Sequence, residues 1–374
     1  MALTLHGTVS DNTVVLDRKT ATPLIINGDM QIAQRATSVT GQTGSGYIVC
    51  DRWLTDMSTA GTWTVSQSTD APTSLGFRNS TKYDCTTANG SLSAGSFMTH
   101  QMRFEGQDLQ LFKKGTSSAE NFTVSFWVKS AKTGTYIVEL WDNDNTRQVS
   151  QAYTISSADT WEKKVLSFPA DTTGAFDNDN ASSLHMFFWL LSGTNYASGT
   201  LSTTWTSNTN ANRAVGQVNL ADSTDNDWYI TGVQLEVGEF DANSIPSFQF
   251  EDRATSLARC QRYYYKAITG TLFNQLAFCN VRTTTSHYAL MQMPVTLRAN
   301  PTSVDFGSIG IIASWGAAVV GLSSLTFANA AYGPGTTQVL LDAVTGSAVG
   351  TVGNVSILLG ANSATGFIGI DSEL

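Results

Sequence analysis

The chain has 374 residues, of which only 14% are charged and 41% hydrophobic, and its formal net charge is −9. Ser and Thr supply roughly a quarter of it, beside 31 Gly and 7 Pro, a balance that fits neither a disordered tail nor a helical bundle and suits β-rich modules with hydroxyl-covered surfaces. An acidic chain without Lys/Arg runs has no basic field, which argues against nucleic-acid binding and against an anionic membrane partner.

The length exceeds one ordinary domain, and composition divides it into four parts. Residues 1–21 form a polar leader without a basic stretch followed by an apolar one, so no signal peptide is expected, and the chain is expected to be made in a cytoplasm. The least polar stretch, Ile309 to Leu322, falls short of a membrane span. The four cysteines, Cys50, Cys85, Cys260 and Cys279, lack C-x-x-C spacing and are expected to be free, buried thiols.

Residues 22–246 hold eight of the nine tryptophans and alternate with period two, the mark of half-buried strands. In FTVSFWVKS, Phe122, Val124, Phe126 and Val128 share one face, and Thr123, Ser125, Trp127 and Lys129 the other. TYIVELW follows the turn Lys132–Gly134, and the two segments are expected to form a hairpin. TWEKKVLSF (160–168), LHMFFWLLSG (184–193) and DWYITGVQLEVG (227–238) predict further strands, joined by Asn–Asp loops at 142–145, 177–180 and 225–227. The whole predicts an antiparallel sandwich.

Residues 247–267 predict a helix. Phe250, Leu257 and Tyr264 recur every seven residues, a stripe that packs either on its own domain or on copies of itself around a symmetry axis. Residues 268–374 alternate again, with YGPG (332–335) as a turn. From Ala299 onward the only charges are Asp305, Asp342, Asp371 and Glu373. So weakly charged a β domain would be poorly solvated alone, which predicts a homo-oligomer, most simply a trimer.

Several segments in order carry a resemblance. LIINGDMQIAQR (24–35), YIVCDRW (47–53), QMRFEGQDLQLF (101–112), SFWVKSAKTGTYIVEL (125–140), WEKKVLSF (161–168) and WYITGVQLEVG (228–238) resemble a sandwich domain of marine, cyanophage-type bacteriophage virion fibre proteins. They are also similar to carbohydrate-binding modules of families 4, 9 and 22. FEDRATSLARCQRYYYK (250–266) resembles the linker helix behind this module in tail-fibre-like proteins, and MPVTLRANPT (293–302) the entry to their C-terminal β domain. The resemblance implies a mainly β chain: a jelly-roll β-sandwich (22–246), a short linker helix (247–267) and a second β domain (268–374). It implies a non-enzymatic place on a virion, with other virion proteins as partners. It also implies structural calcium held by acids of the first and last strands. Asp29 matches the first position approximately, whereas Thr231 and Gly232 stand where the last-strand pair would be.

A sugar site needs flat apolar faces for C–H patches and amides or carboxylates for hydroxyls. Trp127, Lys129, Glu139, Trp141, Trp228 and Gln234 are the candidates, expected to line one concave sheet; the alternative is that the tryptophans pack between protein layers. Trp189, inside FFWLL, is expected in the core. The Asn–Asp loops have the oxygen atoms calcium takes, but Asx-turns have the same composition and no ligands are assigned. The chain has no nucleophile elbow, phosphate loop, dinucleotide fingerprint or zinc-protease motif, and His6, His100, His185 and His287 are scattered. Three roles follow: a fibre protein adhering to host-surface polysaccharide, with the leader attached to the particle; a capsid decoration or cement protein without sugar binding; and a polysaccharide hydrolase using a carboxylate pair.

Overall fold

The computed structural model describes residues 19–328, 336–361 and 363–374. All of the predicted leader but its last three residues, and the YGPG turn, lie outside them. The chain divides between Glu251 and Asp252 into two compact units.

Among the described residues the first unit has thirteen strands: β1 (Ser38–Gln42), β2 (Gly46–Tyr47), β3 (Trp53–Ser58), β4 (Thr62–Ser68), β5 (Ser80–Thr87), β6 (Phe97–Glu105), β7 (Phe122–Ser130), β8 (Gly134–Asp142), β9 (Arg147–Ile155), β10 (Glu162–Phe168), β11 (Ser182–Ser192), β12 (Thr206–Ser207) and β13 (Asp227–Val237). They form two antiparallel sheets. One has the order β1-β4-β5-β13-β7-β10, the other β12-β9-β8-β11-β6-β3-β2. The core lies between them. Phe122, Val124, Phe126 and Val128 of β7 meet Val138 and Leu140 of β8, Met98 and Met102 of β6, and Phe188 of β11 there. Burying such apolar rows from both sheets is what makes a sandwich stable.

The expected hairpin is not formed. β7 pairs with β10 and β13, whereas β8 pairs with β9 and β11 in the other sheet. The chain arches across the core between Ser130 and Gly134. The Ser130 Oγ accepts from the Lys132 amide at 3.1 Å, and the Tyr136 hydroxyl donates to the Lys132 carbonyl at 2.9 Å. Alternation says which residues face inward; it does not say which sheet a strand joins.

A single helical turn, α1 (Thr194–Ala197), follows β11. The second unit opens with α2 (Arg253–Gln261), capped by Asp252, whose Oδ1 accepts from the amides of Ala254 and Thr255. The helix is therefore nine residues long rather than spanning 247–267. Phe250 precedes it, and Tyr264 already belongs to a strand, so the stripe Phe250, Leu257, Tyr264 does not exist as a helix face. The reason is local: Tyr263–Tyr265 is an aromatic run that favours pleated backbone, and the helix turns Ser256 and Cys260 inward.

Beyond α2 come β14 (Tyr264–Ile268), β15 (Gln275–Val281), β16 (Ser286–Gln292), β17 (Ser303–Gly307), β18 (Ile309–Ile312), β19 (Val320–Phe327), β20 (Gln338–Thr345), β21 (Val355–Gly360) and β22 (Phe367–Asp371). Six close a barrel, β15-β16-β20-β19-β18-β21, and three form the sheet β14-β22-β17. Their core holds Met291, Ile311, Leu341, Leu358, Ile368 and Ile370. All four cysteines are free and buried. No helix among the described residues is long and apolar enough to cross a membrane.

Candidate functional site

The outer face of the seven-stranded sheet carries a cleft of about 290 Å³, near the lower end of the range for small-molecule sites. Strand alternation builds its floor. Inward residues of β6, such as Met98, His100 and Met102, leave Phe97, Thr99, Gln101 and Arg103 outward; β11 likewise presents His185, Phe187 and Trp189, and β8 presents Glu139 and Trp141. The register sets these side by side: Arg103 opposite His185 opposite Trp141, and Gln101 opposite Phe187 opposite Glu139. Asp56 of β3 stands opposite Thr99. Tyr196 comes from α1, and Arg213 from the loop between β12 and β13.

Arg213 is the centre of the arrangement. Its Nε–H donates to Glu139 Oε1 at 2.8 Å and Oε2 at 3.1 Å, and the indole N–H of Trp189 donates to Glu139 Oε2 at 2.9 Å. The guanidinium lies 4.6 Å from the Trp141 ring centroid, 5.1 Å from Phe187, 5.2 Å from Trp189 and 5.9 Å from Tyr196, a set of cation–π distances. Burial raises the Glu139 carboxyl above its ordinary value, while the Arg213 charge opposes that shift. Burial, then the charges of Arg103 and Arg213, push the His185 imidazole down to about 3. His185 is thus neutral at physiological pH, its Nε2 2.7 Å from the Ser182 hydroxyl. Gln101 donates through Nε2 to Asp56 Oδ2 at 3.0 Å and Thr99 Oγ1 at 2.8 Å, while its buried Oε1 has no hydrogen-bond partner among the described residues. The cleft therefore offers aromatic faces, a hydroxyl, an amide oxygen awaiting a donor, a carboxylate and a guanidinium.

The six predicted sugar-site residues do not line one sheet. Glu139 and Trp141 are in this cleft, on one face with Ile137. Trp127 and Gln234 lie on the outer face of the other sheet, in a second depression. Lys129 shares that face but is engaged, ion-paired with Asp70 and 4.3 Å from the Tyr229 ring centroid. Trp228 is in the core, beside Tyr83, His100 and Phe188. It does not share a face with Gln234, because a bulge between Thr231 and Gln234, with Gly232 at φ 62°, resets the alternation. Trp189 is buried, though it roofs a satellite cluster under the cleft rather than the inter-sheet core.

Sequence reasoning missed Phe97, Gln101, Tyr196 and Arg213. A signal existed for the last: it is the sole Lys or Arg between Lys164 and Arg253. Among the described residues no group of three or more His, Cys, Asp or Glu side chains is placed to hold a metal ion. In the first Asn–Asp loop, Asp142 accepts from the Lys114 ammonium at 2.5 Å. That ammonium also lies 3.1 Å from Asp171 Oδ2 and donates to the carbonyls of Thr173 at 2.9 Å and Gly174 at 2.7 Å. An internal cation thus fills this oxygen cage.

No family model and no curated protein matches the sequence. Solved structures similar to it include the enzymatically active domain of tailspike protein 4 from bacteriophage CBA120, at 13% identity over 57% of this chain and 21% of that one, with a TM-score of 0.30. TmCBM61 in complex with β-1,4-galactotriose is similar at 8% identity over 58% of this chain and 99% of that one, TM-score 0.30. The xylan-binding domain CBM22-1 from Paenibacillus barcinonensis Xyn10C shows 10% identity over 55% and 94%, TM-score 0.24. This chain spans about a fifth of that tailspike domain. Likeness at this level carries no functional weight.

Proposed function

We propose that the first unit binds saccharide in the cleft on its seven-stranded sheet and that the chain is a non-enzymatic fibre protein of a phage particle, gripping host-surface polysaccharide. The observation that carries the sugar reading is the cage around Arg213: four aromatic rings on a guanidinium whose Nη groups make no hydrogen bond among the described residues. Aromatic faces cover the C–H patches of a sugar ring, the Nη groups donate to its oxygens, and Gln101 Oε1 accepts from a hydroxyl. The virion reading rests on the order of motifs between residues 24 and 302, with capsid decoration as its alternative.

Hydrolysis is disfavoured by the carboxylates. Glycoside hydrolysis uses an acidic pair flanking the bond. Here Glu139 is fully buried and engaged by Arg213 and Trp189, which leaves Asp56 as the carboxylate lining the cleft.

Self-association is assigned to the barrel rather than the helix. Phe278 is 63% exposed, Leu290 53% and Val355 60%. The pairings Cys279 with Ala289 and Asn280 with Val355 place these three on neighbouring strands of the barrel wall. Covering them with another copy removes apolar area from water. Light scattering tests this: the wild type should be oligomeric and Phe278→Asp should dissociate it, whereas a wild-type monomer at micromolar concentration contradicts it.

A glycan array probed with wild type and Trp141→Ala tests the sugar reading. Binding that the variant loses supports it. An array on which the folded wild type binds nothing overturns it.

A further inference from the structure

The depression on the opposite face has its own chemistry. It has a volume of about 240 Å³ and lies against the outer face of the six-stranded sheet. Pairing of β10, β7 and β13 sets Lys163 beside Trp127 beside Thr231, and in the next row outward Ser125 beside Gln234. Phe77, from the link between β4 and β5, and Phe248 and Phe250, behind β13, close one side as a mutually packed trio with centroids 4.9–5.1 Å apart. Gly232 makes this approach possible. A Cβ there would lie 2.6 Å from the Phe77 ring and 3.1 Å from Trp127 Cδ1, and its φ of 62° is costly for any other residue.

Gln234 and Lys163 in this groove carry polar atoms without partners among the described residues. Gln234 donates through Nε2 to the Pro246 carbonyl at 2.9 Å, but its Oε1 is buried and without a hydrogen bond among the described residues, and the residue is 6% exposed. Leaving such an acceptor bare costs free energy that a ligand hydroxyl recovers. Lys163 makes no hydrogen bond or ion pair among the described residues, and burial holds its ammonium below the ordinary lysine value. Among the described residues Lys163 is also the lone charge of the lining, which contains no carboxylate.

We propose that this groove is a second saccharide site, independent of the cleft, and that it takes a sugar bearing a carboxylate. The ring lies over Trp127, a hydroxyl donates to Gln234 Oε1, and the carboxylate pairs with Lys163. One sandwich then holds a glycan on each face, and an oligomer multiplies the contacts, which raises avidity without new chemistry.

The test is calorimetric titration of the full chain with an oligogalacturonate and with a neutral xylo-oligosaccharide of equal length. The oligogalacturonate should give two sites per chain. Trp127→Ala should abolish one of them and leave the cleft site, and Trp141→Ala the reverse. Lys163→Gln should weaken the groove site for oligogalacturonate about tenfold and leave the neutral sugar unchanged; Gln234→Leu, with its fold checked by circular dichroism, should weaken both. If Trp141→Ala removes all binding and Trp127→Ala none, the second site is overturned while the cleft stands. If Trp127→Ala alone removes all binding, the cleft reading falls and the groove stands. If Lys163→Gln changes neither sugar, the carboxylate assignment is wrong. Wild type that binds neither sugar overturns both sites.

Discussion

The two outer faces of the sandwich come from the same period-two pattern and differ in what the loops add. On the seven-stranded face, Arg213 arrives from a loop and neutralises Glu139, so a buried carboxylate is paired and four aromatic rings gather on the guanidinium. On the six-stranded face the loop acid Asp70 goes to Lys129, none lines the groove, and Lys163 and Gln234 Oε1 have no partner among the described residues. A strand fixes where a side chain points; a loop decides whether it is satisfied from within or waits for a ligand.

The sharpest way to break this contrast is Arg213→Ala. It leaves Glu139 buried without its cation, which should cost about 3–5 kcal/mol in chemical denaturation. The double variant Arg213→Ala with Glu139→Leu should regain most of that loss. An Arg213→Ala chain as stable as wild type would mean the pair is not what organises the cleft.

The interior behind both faces supplies a pH effect. His100 is stacked on Trp53 at 4.5 Å, with Nδ1 2.8 Å from the Tyr83 hydroxyl, and burial lowers its pKa from 6.5 to about 3. The unfolded chain therefore takes up this proton first as pH falls. The contribution to stability is full above about 6.5 and is lost between about 6.5 and 3, amounting to about 2 kcal/mol at pH 5. Urea midpoints at pH 7 and pH 5 should differ accordingly, and His100→Asn should shrink the difference; an unchanged slope would refute the assignment.

Trp141→Ala should weaken glycan binding at the cleft at least tenfold, about 1.4 kcal/mol, with little change in stability, since Trp141 is only partly buried. A change in the melting temperature without a change in affinity would make Trp141 a packing residue. The smallest expected effect is that of His185, which stays neutral down to about 3 and so should add nothing to any change of cleft affinity between pH 7 and pH 5. Titration of His185 near pH 6 would contradict that.

Much of this was legible in the residues. Phe122, Val124, Phe126 and Val128 announce a buried strand face, and Glu139 with Trp141 announces a shared outer one. What was not legible has physical causes. Sheet membership depends on long-range pairing, so β7 and β8 read as a hairpin. One bulged glycine, Gly232, was enough to separate Trp228 from Gln234. The Phe250–Tyr264 stripe failed because seven-residue spacing does not outweigh three consecutive tyrosines that favour a strand. Arg213 sits in a loop with no periodicity, where only its isolation among cations marked it.

The most direct test of glycan binding on the outer faces is a titration followed through tryptophan indole N–H resonances by nuclear magnetic resonance. With oligogalacturonate added, the signals of Trp141 and Trp189 should move at the cleft and that of Trp127 at the groove, while the core residues Trp53, Trp63 and Trp228 stay fixed. No indole shift at saturating glycan, or shifts confined to Trp161 and Trp315, would contradict it.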